Sequence, residues 1–275
     1  MTGTRSPRGI ESIQAMFGRA KAQSRSAFLP YFPIGFPSFA ESLDIIQSMA
    51  EAGADGFEIG IPFSDPLADG PVIQAATQVA LENGTTVRQC LDAVQTLRDR
   101  GVEQPMLLMG YVNPLIAFGM EAFVQAAKRA GADGLIVPDL PVEEGAQLSA
   151  ICRQHGMALV FFLAPTSGDD RMALVAQQAT GFIYVVTLTG VTGARQELPP
   201  DLTDFVKRLR RQAEHVPLVT GFGISTPEQA RSMNELVDGF IVGSALVRAG
   251  QVSVESVLSL TQSIVRAIQP PDSSA

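Results

Sequence analysis

The chain has 275 residues, 46% hydrophobic and 17% charged, a composition that supplies a core for one large domain and excludes a mainly disordered chain. Acidic residues outnumber basic ones 28 to 20, a formal charge of −8, which argues against nucleic-acid binding through a general basic field. Cys90 and Cys152 form no CxxC pair, Met1–Arg19 holds no apolar signal-peptide core, and no apolar run approaches about 18 residues, so a cytoplasmic chain without membrane spans is expected.

In chain order, apolar runs of strand length alternate with amphipathic stretches of helix length. Strands are expected at Phe28–Ile34, Gly56–Ile61, Met106–Tyr111, Gly134–Val137, Ala158–Leu163, Phe182–Val186, Pro217–Thr220 and Gly239–Val242. Helices are expected between them at Phe39–Ala52, Gln74–Glu82, Val87–Arg100, Glu121–Ala130, Glu143–His155, Asp169–Ala179, Asp201–Arg211 and Pro227–Asn234, with Val254–Ile268 closing the chain. A repeated phrase marks the joins: Ala52-Gly-Ala-Asp-Gly-Phe57 and Ala130-Gly-Ala-Asp-Gly-Leu135, echoed by Val237-Asp-Gly-Phe240. Glycine ends each helix, and the apolar run that follows reads as a parallel strand buried on both faces. Roughly eight βα units without a composition break predict one closed (β/α)8 barrel over 1–275. An extra N-terminal helix is expected, with polar ends at 1–9 and 270–275 frayed. A doubly wound open sheet is the alternative.

In such a barrel the chemistry sits at the C-terminal strand ends and the loops after them. His155 and His215 map to the opposite face, and Lys21, Lys128 and Lys207 lie before the first strand or on outer helices. Neither a histidine metal site nor a Schiff-base lysine is therefore expected. Carboxylates remain. Glu58 interrupts the apolar run Gly56–Ile61, where burial would raise its pKa into the range of an acid–base catalyst; a strand-end salt bridge is the plainer reading. The turn-rich loop Pro62–Pro71 carries Asp65, for which turn capping suffices, and Asp69, which can fold back over the mouth as a second carboxylate. Gly190 and Gly193, Gly221 and Gly223, and Gly243 with Ser244 follow the last three strands, where barrels hold phosphate on backbone amides and a short helix N-terminus. Together these residues predict a small phosphate-bearing substrate and a proton-transfer reaction, with isomerisation and carbon–carbon cleavage both open.

The segment Phe57-Glu-Ile-Gly-Ile-Pro-Phe-Ser-Asp-Pro-Leu-Ala-Asp-Gly-Pro71 resembles the tryptophan synthase alpha subunit family. The likeness continues through Leu29–Pro37, Met109–Pro114, Leu135–Glu144, Thr189–Gly193, Gly221–Ser225 and Val242–Ala245. The resemblance implies a cofactor-free retro-aldol cleavage of indole-3-glycerol phosphate to indole and glyceraldehyde 3-phosphate. It implies a beta subunit partner in an alpha2beta2 complex, with pyridoxal phosphate only in that partner. Glu58 and Asp69 match the catalytic pair. Tyr184 matches a residue that steadies Glu58 and the glycerol end, Thr192 one in the second mobile loop that contacts Asp69, and Gly193, Phe222, Gly223, Gly243 and Ser244 match the phosphate site; Tyr31, Ile73, Ile136, Pro138 and the Leu107–Leu108 region match the indole pocket. Asp65 and Pro66 match a partner-facing loop, and the loops after the second and sixth strands are expected to be mobile. Thr187-Leu188 stands where many members carry Ser-Arg, and Tyr31 where some carry Phe. A free-standing lyase and a weakly active allosteric activator of beta are the alternatives.

Overall fold

The computed structural model describes residues 7–186, 200–221 and 223–270. Eight parallel strands pair in chain order: β1 (Ala27–Pro33), β2 (Phe57–Gly60), β3 (Met106–Met109), β4 (Gly134–Ile136), β5 (Ala158–Leu163), β6 (Ile183–Val185), β7 (Leu218–Thr220) and β8 (Gly239–Val242). β8 pairs back onto β1, so the sheet closes as a TIM barrel and the open-sheet alternative falls. Around it lie α1 (Ile10–Ala22), α2 (Phe39–Glu51), α3 (Pro71–Glu82), α4 (Val87–Asp99), α5 (Val112–Phe118), α6 (Met120–Ala130), α7 (Ala146–Gln154), α8 (Asp169–Gln178), α9 (Pro200–Gln212), α10 (Pro227–Ser232), α11 (Ser244–Gly250) and α12 (Val254–Ile268). No helix among the described residues is long and apolar enough to cross a membrane.

The expected strands all form, trimmed by a residue or two where loops begin. Two short helices were not anticipated. α5 follows β3 directly, and α11 starts at Ser244, where its free amides face the barrel mouth. α1 lies across the N-terminal end. Its Phe17 meets Phe182 edge-on at 6.0 Å, and the amide of Ile10 donates to Gly156 O at 3.1 Å.

The repeated Asp-Gly phrase turns out to be a strand staple. Asp55, Asp133 and Asp238 each precede a strand and grip the first residues of the strand before it. The amide of each donates to a carbonyl, of Phe28, Met106 and Leu218, at 2.8–2.9 Å. Its carboxylate accepts the amide of the same residue, at 2.9, 2.9 and 2.7 Å. An arginine then neutralises each carboxylate: Arg25, Arg98 and Arg210 approach to 2.6 Å. The missing fourth member is Thr180, whose amide donates to Leu159 O at 3.2 Å and whose hydroxyl accepts Leu159 N at 2.9 Å. The barrel is thus stapled as four strand pairs, β1–β2, β3–β4, β5–β6 and β7–β8, at the end away from the mouth.

Parallel pairing puts partnered residues on the same face and alternate residues on opposite faces. Tyr31 pairs with Glu58, Glu58 with Leu107, and Leu107 with Gly134. Tyr184 on β6 feels the charge of Glu58 on β2, across the ring of strands, so this row points into the barrel.

Candidate active site

Two carboxylates lie within electrostatic reach of each other at the mouth. Glu58 is carried on β2 with 3% of its surface exposed, an acid inserted between Phe57 and Ile59, whose alternate side chains fill the helix-facing side. Asp69 is half-buried on the loop after β2, one residue before the Gly70 cap of α3. Burial, then the charge of Asp69, pushes Glu58 up to about 8. Burial also lifts Asp69, to about 6, against a hydrogen bond from Tyr111 that pulls it down. Both carboxyls are raised, Glu58 the further, so Glu58 is the better placed of the two to hold a proton. Neither carboxylate has an ion-pair partner among the described residues, so the strand-end salt bridge does not form.

Tyrosines line the space around them. Tyr31 on β1 and Tyr184 on β6 are buried, and burial together with the Asp69 and Glu58 charges raises both hydroxyls well above the usual phenol range. Thr77 of α3 shares a hydrogen bond with the Tyr31 hydroxyl. Phe162 of β5 stacks on Tyr184, 4.7 Å between centroids and 22° between planes. Both stand on the inward row, since Phe162 pairs with Tyr184 in register. A Cβ at Gly221 would collide with the Tyr184 hydroxyl, so glycine there is what lets the tyrosine reach across to β7.

The expected pocket residues are only partly brought together. Ile73, on the first turn of α3, and Tyr31 both come to 3.4 Å of a Cβ built on Gly243, so these three share one wall with the start of α11 at Ser244. Ile136 is buried on the inward row of β4, and Pro138 follows that strand. Gly223 takes a left-handed φ of 46°, which disfavours any side chain there. Leu108 is a correction. It pairs with Ile59 and Leu135, one step out of phase with Glu58, and faces the helices; the inward residue at that level is Met109. Asp65 and Pro66 lie on the turn that leads into Asp69, whose amide donates to Pro66 O at 3.0 Å. Ser64 donates to Asp65 there at 2.5 Å, and Leu67 beside it is 91% exposed. Thr192, Gly193 and Phe222, with Gly190 and Thr187-Leu188, lie outside the described residues.

Sequence reasoning missed Phe162, Met109 and Tyr111. Tyr111 offered a signal: a phenol two residues beyond the mouth-side end of β3, where this fold places its chemistry. Its hydroxyl donates to Asp69 Oδ2 at 3.0 Å.

The comparisons with known proteins agree with this geometry. Residues 17–268 match the family described as tryptophan synthase alpha chain. The tryptophan synthase alpha chain of Chloroflexus aggregans is 48% identical over 238 residues, 86% of this chain and 89% of that one. The tryptophan synthase of Saccharomyces cerevisiae is 38% identical over 237 residues, 86% of this chain and 34% of that protein. A solved structure of Mycobacterium tuberculosis tryptophan synthase superposes with a TM-score of 0.88 at 33% identity, covering 94% of this chain and 98% of that chain. The chain belongs to the tryptophan synthase alpha chain family, carbon–carbon lyases that cleave indole-3-glycerol phosphate in tryptophan biosynthesis.

Proposed function

We propose that Glu58 and Asp69 carry this cleavage as an acid and a fixed anion. The observation behind this reading is the split between them: two carboxylates in one mouth, of which burial and mutual repulsion leave Glu58 protonated and Asp69 ionised near neutral pH. Glu58 gives its proton to indole C3, and the ring nitrogen becomes positive as C2 and N1 share the double bond. Asp69 accepts the indole N–H and stabilises that charge. Glu58, now ionised, takes the proton of the glycerol hydroxyl. The C–C electron pair returns to the ring, the hydroxyl carbon becomes the aldehyde, and Glu58 ends as it began.

Tyr31, Ile73, Ile136, Met109 and Phe162 form the slot for the indole ring in this reading, with Tyr184 beside the glycerol. The phosphate lies toward Gly223, Gly243 and the amides that open α11; Gly193 and Phe222 are assigned to it by their match to the family alone. Gly243→Val should raise KM at least severalfold, because its side chain would enter the wall shared by Tyr31 and Ile73. An unchanged KM would remove Gly243 from the substrate site.

The partner in this reading is a beta subunit in an alpha2beta2 assembly, holding the pyridoxal phosphate, in the cytoplasm. Support comes from the rim beside the mouth, where Leu67 is 91% and Ile116 of α5 is 55% exposed, flanked by Asp65 and Pro66. The matched yeast protein is called tryptophan synthase and is about three times as long as the stretch it shares with this chain. The whole chain is taken as one domain. Indole release from indole-3-glycerol phosphate, with and without beta, tests the assignment. Slow release accelerated by beta is expected; fast release indifferent to beta would make the chain a free-standing lyase.

A further inference from the structure

The loop that carries Asp69 is held from the next βα connection. Tyr111 is the residue before α5; it is 2% exposed, and its ring rests on Phe63 at 5.3 Å between centroids. Its hydroxyl makes two bonds to consecutive residues of the loop, accepting from Ala68 N at 3.0 Å and donating to Asp69 Oδ2 at 3.0 Å. The directions are forced, because an amide only donates and an ionised carboxylate only accepts. The single phenolic proton must therefore point at Asp69.

We propose that Tyr111 is the positioning residue of the catalytic loop, its hydroxyl clasping Ala68 and Asp69 so that the Asp69 carboxylate stands fixed at the mouth before substrate arrives. This rests on the reading of Asp69 as the anion that receives the indole N–H. The other loop contacts cannot do the same work. Gln74 Nε2 donates to Asp69 O at 2.8 Å and to Pro66 O at 3.3 Å, and Asp69 N donates to Pro66 O at 3.0 Å. These hold the backbone and leave the carboxylate free to turn. Among the described residues, Tyr111 alone hydrogen-bonds the Asp69 carboxylate. Tyr111 is itself braced, since Asp139 after β4 accepts Val112 N at 2.9 Å and fixes the next residue along.

The clasp also bears on which carboxylate holds the proton. Asp69 faces Glu58 from β2, the Tyr31 phenol from β1 and the Tyr184 phenol from β6, with Asp139 behind Tyr111; none of these groups carries positive charge. The Tyr111 hydrogen bond is what lowers Asp69 against its burial. Without that bond Asp69 would titrate higher, closer to Glu58, and the division of labour between them would blur.

Tyr111→Phe keeps the ring on Phe63 and deletes only the hydroxyl. The lysis of indole-3-glycerol phosphate is measured as kcat and KM across pH, in Tyr111→Phe, Asp69→Asn and the double variant. For Tyr111→Phe, kcat should fall about tenfold, the scale of a lost hydrogen bond to a charged group, with KM nearly unchanged. The acid limb of kcat/KM should move up by roughly one pH unit. In the Asp69→Asn background the same substitution should cost nothing further, as expected when one residue acts through the other. A uniform loss with the acid limb in place, or equal losses in both backgrounds, overturns the clasp while leaving Asp69 its role. Normal turnover by Asp69→Asn overturns the reading of Asp69 and the clasp with it.

Discussion

At the closed end of the barrel Asp55, Asp133 and Asp238 each face an arginine; at the mouth Glu58 and Asp69 face each other. Asp133 and Glu58 are chemically alike and both buried, so the difference between those two lies in their neighbours. Burial pushes Asp133 up, but Arg98 and the amides of Met106 and Gly9 pull it back, and the carboxylate is spent on holding backbone. For Glu58 burial and its neighbour push the same way and nothing opposes them, so the group reaches about 8 and keeps an exchangeable proton. A buried carboxylate becomes a staple where donors converge on it, and an acid where they are withheld.

The largest effect is expected from breaking a staple. Asp133 has no exposed side-chain surface and Arg98 only 8%, so Asp133→Ala leaves a buried cation without its counter-ion. Such losses cost about 3–5 kcal/mol. Urea unfolding should show a loss of that size, while lysis per folded molecule stays near normal. A drop in kcat with unchanged stability would mean that the two ends are not separable.

Glu58→Gln is the counterpart at the mouth. Removing the proton donor should cut lysis at least ~10²-fold, the lower range for an acid–base group. Stability should hold or rise, because an uncompensated buried carboxyl is replaced by a neutral amide. Near-normal turnover would remove Glu58 from the chemistry.

The pH profile sharpens the same contrast. Below about 6 Asp69 binds a proton and loses the charge that faces the indole N–H; above about 8 Glu58 loses the proton it must donate. The profile of kcat/KM should be a bell with a plateau between these values, falling about tenfold per pH unit on either side. Since the Asp69 charge is the second cause of the raised Glu58 value, Asp69→Asn should also move the alkaline limb to lower pH. A flat profile from pH 5 to 9 would be incompatible with this pair.

Much of this was legible in the residues. Apolar runs after glycine gave the strands, and a lone glutamate in such a run gave Glu58. What stayed hidden has physical reasons. Strands buried on both faces lack the polar–apolar alternation that reveals parity, so nothing in the run Met106–Met109 separates the inward Met109 from the helix-facing Leu108. Tyr111 was read as the last residue of β3 because the short α5, with Pro114 in its first turn, shows no amphipathic period of its own. The clasp on Asp69 joins residues 42 apart in sequence, a closeness that only the barrel creates. The fourth staple escaped because Thr180 does with a hydroxyl what the repeated phrase does with a carboxylate.

That substitution offers the finest test of the comparison. Thr180 grips Leu159 through the same two bonds as the aspartates, but its hydroxyl carries no charge to be neutralised. Thr180→Val keeps the shape and the backbone bond and removes only the acceptor for the Leu159 amide. The loss should be about 1 kcal/mol, the scale of one neutral hydrogen bond, against the several expected at Asp133. If the two losses were equal, the arginine at the other staples would add nothing, and the strand-to-strand amide bond alone would set their strength. If Thr180→Val were the smaller by the expected margin, the cost at Asp133 would belong mainly to the stranded cation. Pairing with a cation would then be what makes a buried carboxylate a fixed part of this barrel.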